Sequence, residues 1–149
     1  TRANFVSGIG GTNTPAFYLT KTSNQSISTN THTIIQLNSA VIDTDSGFDS
    51  SNYRWTVPSG EGGTYFVTWR YIFSGTWDAR IIAYLNVNGS DVRGMQSHHG
   101  RVDGGVAITT IIALSAGDHL KGAVYQDNGS TRDIVGATTW CELAGFKLI

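Results

Sequence analysis

Apolar and polar residues alternate with a period of two along most of the chain, and no window of a dozen residues carries the spacing of an amphipathic helix. The alternation predicts strands over residues 16–21, 31–37, 53–57, 64–73, 80–87, 92–97, 106–114, 119–126 and 138–149. Between them lie residues that reverse a chain: Asn88-Gly89, Asp103-Gly104-Gly105, Ala116-Gly117-Asp118 and Asn128-Gly129. Many short strands with such turns and no helix predict an all-β sandwich or barrel. Residues 1–15, rich in Gly, Thr and Asn and ending at Pro15, are expected to form a flexible tether ahead of a head domain over 16–149.

Face assignments carry the argument further. Over 106–114, Val106, Ile108, Ile112 and Leu114 share one side, while Ala107, Thr109 and Ala113 share the other: a core face backed by small residues. Residues 64–73 are different. Tyr65, Val67, Trp69, Tyr71 and Phe73 line one side, yet Phe66 and Ile72 lie on the other. In the last strand Trp140, Ala144, Phe146 and Leu148 lie opposite Cys141 and Leu143. A strand apolar on both faces must be covered on both, and one sandwich has a single core. The second cover is then another copy of the chain. We assign Tyr65, Trp69, Tyr71, Trp140, Phe146 and Leu148 as candidate interface residues.

Composition agrees with such a domain. The 149 residues suit one domain with a real core. Charged residues make up 14 % of the chain, against roughly 25 % in an average soluble domain, as expected of a surface partly hidden against copies of itself. Net charge is −1, with no basic run or stripe, so neither nucleic acid nor an anionic membrane is an expected partner. No stretch approaches the roughly 18 apolar residues of a membrane span, and no signal peptide is recognisable, as would also hold for a mature secreted domain. A lone cysteine, Cys141, excludes an internal disulfide, a CxxC pair and a cysteine-based zinc site. Its apolar surroundings predict a buried structural thiol.

Four elements in order carry a resemblance. Trp55-Thr56-Val57-Pro58 followed by Gly63-Thr64-Tyr65-Phe66-Val67 resembles the aromatic-x-x-Pro…Gly-x-Tyr-x-Phe signature of C1q/TNF-like domains. Ala83–Gly89 resembles their strand ending in Asn-Gly, Leu114–Leu120 their Leu-x-x-Gly-Asp-x-Val element, and Leu143–Ile149 their closing Phe-x-Gly-x-Leu-Leu strand. There are departures. Two extra residues lie between Pro58 and Gly63, Val67 stands in place of the family's Phe, and Leu143 in place of the Phe before the glycine. The Ser/Thr/Asn-rich style and the Phe48–Trp55 loop are similar to C1q-like heads of bacteriophage and environmental viral structural proteins. The resemblance implies a jelly roll of about ten antiparallel strands, assembled as a tight homotrimer with a fibrous stalk entering at the N-terminus.

The usual catalytic and nucleotide-binding motifs (GxSxG, HExxH, a Walker loop, GxGxxG) are missing. Asp43, Asp45 and Asp49 alternate ahead of and after Gly47 like the start of a calcium loop, without its terminal Glu or flanking helices. They are weak calcium candidates. His98 and His99 are expected in a surface loop with Arg101 and Asp103 nearby, and adjacent strand residues point to opposite faces, so at most one imidazole could face an axis. Trp77 and Asp78 follow Gly75 in a loop where a Trp suits a sugar ring or a receptor pocket. Asn24, Asn88 and Asn128 open glycosylation sequons that turn chemistry explains as well.

The sequence therefore predicts a non-enzymatic trimeric binding head. Trp77, Asp78, His98, His99 and Arg101 are the candidate ligand contacts, a cell-surface glycan or protein receptor the expected partner, and a virion surface or the extracellular space the expected place. The alternatives are a purely architectural trimerisation, capping or capsid-decoration domain and, last, a glycan-processing enzyme.

Overall fold

A computed structural model of the chain describes residues 13–76, 78–100 and 102–149, with the backbone alone at His99. Thirteen strands occur among the described residues, every pairing antiparallel. The first sheet contains β1 (Ala16–Thr20), β2 (Gln25–Ile27), β4 (Ser39–Asp43), β7 (Gly63–Thr76), β10 (Val102–Leu114), β12 (Arg132–Ile134) and β13 (Glu142–Lys147). Its order is β2-β12-β7-β13-β1-β4, with β10 along the other flank of β7. The second sheet contains β3 (Thr33–Ile34), β5 (Phe48–Asp49), β6 (Arg54–Thr56), β8 (Ala79–Val87), β9 (Ser90–His99) and β11 (His119–Gln126). It runs β5-β6-β11-β8-β9, with β3 also beside β11. The result is a two-sheet sandwich, as the alternation predicts, with the jelly-roll form that the resemblance implies.

The gap between the sheets is filled chiefly by β7. Tyr65, Val67, Trp69, Tyr71 and Phe73 are each 1 % exposed or less. This corrects the assignment of Tyr65, Trp69 and Tyr71 to an interface: they point inward and the chain's own second sheet covers them. The reason lies on β11. Gly122 presents no side chain, and a Cβ there would come within 2.6 Å of the Trp69 indole, so the ring lies flat on the bare backbone. Trp69 Nε1 then donates to the Ala123 carbonyl at 3.2 Å. Tyr65 donates its hydroxyl proton to the Glu61 carbonyl at 2.6 Å. Trp55 stacks on Phe17, centroids 4.2 Å apart, and donates Nε1 to Asp43. With both indoles hydrogen-bonded, these large rings fill the core without stranding an indole N–H.

Several predicted segments shift. Residues 31–37 contribute only Thr33–Ile34, while Gln25–Ile27, Ser39–Asp43, Phe48–Asp49 and Arg132–Ile134 form strands that the alternation did not show. The last strand begins at Glu142, because 138–140 form a turn. His98 and His99 lie in β9, opposite Arg80 and Ala79, not in a loop. Asp103-Gly104-Gly105 sits inside β10, where Asp103 at φ +48° absorbs a register shift beside β7. Asn88 and Gly89 both have positive φ, 53° and 88°, the geometry an Asn-Gly hairpin requires. The tether expected over 1–15 lies, for residues 1–12, outside the described residues.

Candidate functional site

The outward face of the first sheet carries a continuous apolar stripe across five strands. Tyr18 of β1 stands between Ile42 of β4 and Ala144 of β13, and Phe146 stands between Ala16 and Phe66. Phe66 in turn faces Ile111 of β10. The Phe66 and Phe146 rings stack at 5.4 Å. Together with Tyr18, Ile42 and Ala144 they bound a groove of about 230 Å³ whose walls are almost wholly apolar. Ile42 and Ile111, at the two ends of the stripe, are 48 % and 60 % exposed. A chain at ordinary surface composition does not leave such side chains in a contiguous row without a partner.

One end of the stripe is closed by a polar clamp. Arg70 Nε meets Glu142 Oε1 at 2.7 Å, Arg70 also donates to the Thr139 carbonyl, and the Tyr18 hydroxyl lies 2.8 Å from Glu142 Oε2 and 2.7 Å from the Thr138 carbonyl. Burial, and then the Glu142 carboxylate, hold the Tyr18 phenol above its ordinary pKa. Arg70 and Tyr18 together compensate Glu142, which is 8 % exposed. On the flank where β9 and β10 meet, Met95 is exposed, and Arg93 bridges the two sheets by donating to Thr110 Oγ1 at 3.2 Å.

Of the six interface candidates, Phe146 lies on the stripe. Trp140 and Leu148 are exposed at opposite ends of β13, 42 % and 40 % respectively. Phe66, Tyr18, Ile42 and Ile111 complete the face. Phe66 was visible in the sequence as the large residue on the minority side of its strand; Ile42 was hidden because its short strand shows no alternation.

The loops proposed for ligand contact gather at one end. Gly75 N–H donates to Asp103 Oδ1 at 2.8 Å, His98 Nδ1 lies 3.3 Å from Asp78 Oδ1, and Arg80 Nε lies 3.1 Å from Asp127 Oδ2. The β7–β8, β9–β10 and β11–β12 connections are thereby adjacent. Asp78 and His98 are both well exposed there. Trp77, Arg101 and the His99 side chain lie outside the described residues. The chain enters at the opposite end, where Lys147 N–H donates to the Pro15 carbonyl.

The calcium candidates are spent on the fold. Asp43 accepts from Gly47 N–H, Phe48 N–H and Trp55 Nε1. Asp49 accepts from the N–H groups of Ser51 and Asn52 and from the Asn52 amide, which holds its carboxyl below the usual range. Asp45 accepts from Thr44 Oγ1. These carboxylates cap turns and do not fit a shared cation; among the described residues no three acidic, His or Cys side chains converge. Cys141 is fully buried, and burial pushes its thiol up to about 12, so it stays protonated and inert.

No family model matches the sequence, and no curated protein does. Solved structures do match. The globular domain of zebrafish complement 1qA protein superposes with a TM-score of 0.63 at 14 % identity, covering 91 % of this chain and 98 % of that one. Murine APRIL at pH 8.5 gives a TM-score of 0.64 at 14 % identity, covering 89 % and 98 %. Eiger TNF from S. frugiperda gives 0.61 at 14 % identity, covering 90 % and 92 %. The chain has the C1q/TNF-like jelly-roll fold.

Proposed function

We propose that this domain is a non-enzymatic, homotrimeric binding head of a fibrous protein, displayed on a virion surface or outside a cell for attachment to a receptor. The observation that carries the reading is the apolar stripe Ile42–Tyr18–Phe146–Phe66–Ile111 on the outside of a sandwich whose core is already full. A contact of the stripe with a different surface of a neighbouring copy is heterologous, and such contacts generate a closed ring when the rotation permits. Three copies is the number that the resemblance to C1q/TNF-like domains implies. The joined end-loops then lie at the opposite end from Pro15, and three equivalent weak sites on one knob bind by avidity.

The test is Phe146→Asp, which puts a carboxylate where an apolar ring must be covered. Analytical ultracentrifugation is expected to show the wild type as a trimer and the variant as a folded monomer or an aggregate. A variant that sediments as a clean trimer removes Phe146 from the contact.

A further inference from the structure

The outward face of the second sheet holds a glycine that the fold does not need. Gly94 lies in the middle of β9, exposed, opposite Tyr84 of β8. It is not among the positive-φ residues, so its backbone asks for no glycine. A Cβ there would meet only the Tyr84 ring edge at 3.4 and 3.5 Å and the Ala83 carbonyl at 3.8 Å, which are ordinary contacts. Glycine weakens a strand interior and commonly marks close approach by something else. Among the described residues, open space lies over this position apart from the Tyr84 ring edge and the Ala83 carbonyl. The missing side chain leaves a step beside a half-buried tyrosine ring.

Polar groups surround that step in matched pairs. His32 Nε2 lies 2.9 Å from Asp91 Oδ2, and its ring stands 5.2 Å from that of Tyr84. Asn86 Nδ2 donates to the other Asp91 oxygen at 2.9 Å. Gln96, two residues on from Gly94, is exposed. Asp91 meets His32 and accepts from Asn86, so its oxygens are already engaged and the rim is set up for hydroxyl groups.

We propose that the Tyr84–Gly94 shelf binds a pyranose ring of an uncharged oligosaccharide. A sugar offers a C–H face to an aromatic ring and hydroxyls to a rim of carboxylate, imidazole and amide groups. A step one residue wide suits a single ring, whereas a protein partner needs about 800 Å². The shelf lies on the opposite sheet from the apolar stripe, so covering the stripe leaves it open, and three copies supply avidity to a weak site. The inference names a ligand class for the binding head and rests on that reading for its avidity only.

The experiment uses labelled wild-type protein on a panel of immobilised neutral oligosaccharides: glucans, mannans, galactans and chitin oligomers. Sedimentation of the same samples reports the assembly separately. Wild type is expected to bind at least one class, and Gly94→Thr, which fills the step with a good strand former, is expected to weaken binding about tenfold or more with unchanged mass and melting temperature. Tyr84→Ala is the second variant, and loss in either folded variant supports the site. A wild-type trimer that binds nothing on the panel overturns the glycan shelf and leaves the trimeric head standing, as does wild-type binding by both folded variants.

Discussion

The two outer faces of this sandwich are built from different materials. On the first sheet, Ile42, Tyr18, Phe146, Phe66 and Ile111 follow one another from strand to strand, with the ionic pair Arg70–Glu142 at one end. On the second, Tyr84 and Tyr125 are interleaved with His32, Asp91 and Arg80, each engaged by a polar neighbour or, for Arg80, by an aromatic ring as well. Apolar side chains in contiguous rows lose free energy to water together, whereas paired polar groups keep theirs when hydrated. On the proposed reading, one face is covered by other copies and the other stays wet. A low overall charge content reports the average and hides this division.

The largest effect tests the core that both faces share. Trp69→Ala should cost about 3–5 kcal/mol, because the indole fills the inter-sheet gap over Gly122 and donates to Ala123. Urea unfolding reads this directly. A loss under about 1 kcal/mol would mean that the inward side of β7 is not the core.

Next comes a paired substitution, one on each face. Phe66→Asp should dissociate the assembly, while Gln96→Asp on the second sheet should leave its mass unchanged, both read by light scattering. Equal effects from the two would erase the distinction between a covered face and a wet one.

A smaller effect belongs to the turn that joins the sheets. Asp118 accepts from the Ser115 N–H and the Asn88 amide, which hold its carboxyl below the usual range. A depressed native pKa contributes stability that is present above the unfolded carboxylate value and is lost as pH falls through the lower native value. Acid titration of stability should therefore show a loss below about pH 4 that Asp118→Asn partly removes, by less than about 1 kcal/mol at neutral pH. A variant with the wild-type acid profile would strip the turn of that role.

The smallest expected change is in the melting temperature of Gly94→Thr. It should stay level or rise slightly, because neither backbone conformation nor space requires glycine. A clear fall would mean that the glycine serves the fold, not a ligand.

Much of the architecture was legible in the chain itself. The alternation of Val106, Ile108, Ile112 and Leu114 against Ala107, Thr109 and Ala113 matches the inward and outward sides of β10. The Asn88-Gly89 turn and the order of the C1q/TNF-like elements are found as expected. What alternation could not decide is which side of a doubly apolar strand points inward. Tyr65, Trp69 and Tyr71 look like surplus aromatics until Gly122, more than fifty residues later, is seen to make room for an indole. Strands of two or three residues, such as Phe48–Asp49 and Arg132–Ile134, are too short for a period to show. The outer stripe escaped at Ile42 because Ala40, Val41 and Ile42 run consecutively apolar in β4 and show no period, and the Tyr84–Gly94 shelf needs a cross-strand register that no linear pattern contains.

The central claim, that the outside of the first sheet is closed by other copies of the chain, is tested most directly by the native mass of the wild-type protein at micromolar concentration. The account predicts a single species at three times the chain mass of 16.0 kDa. A stable species at 16.0 kDa, with Phe66 and Phe146 open to solvent, would contradict it.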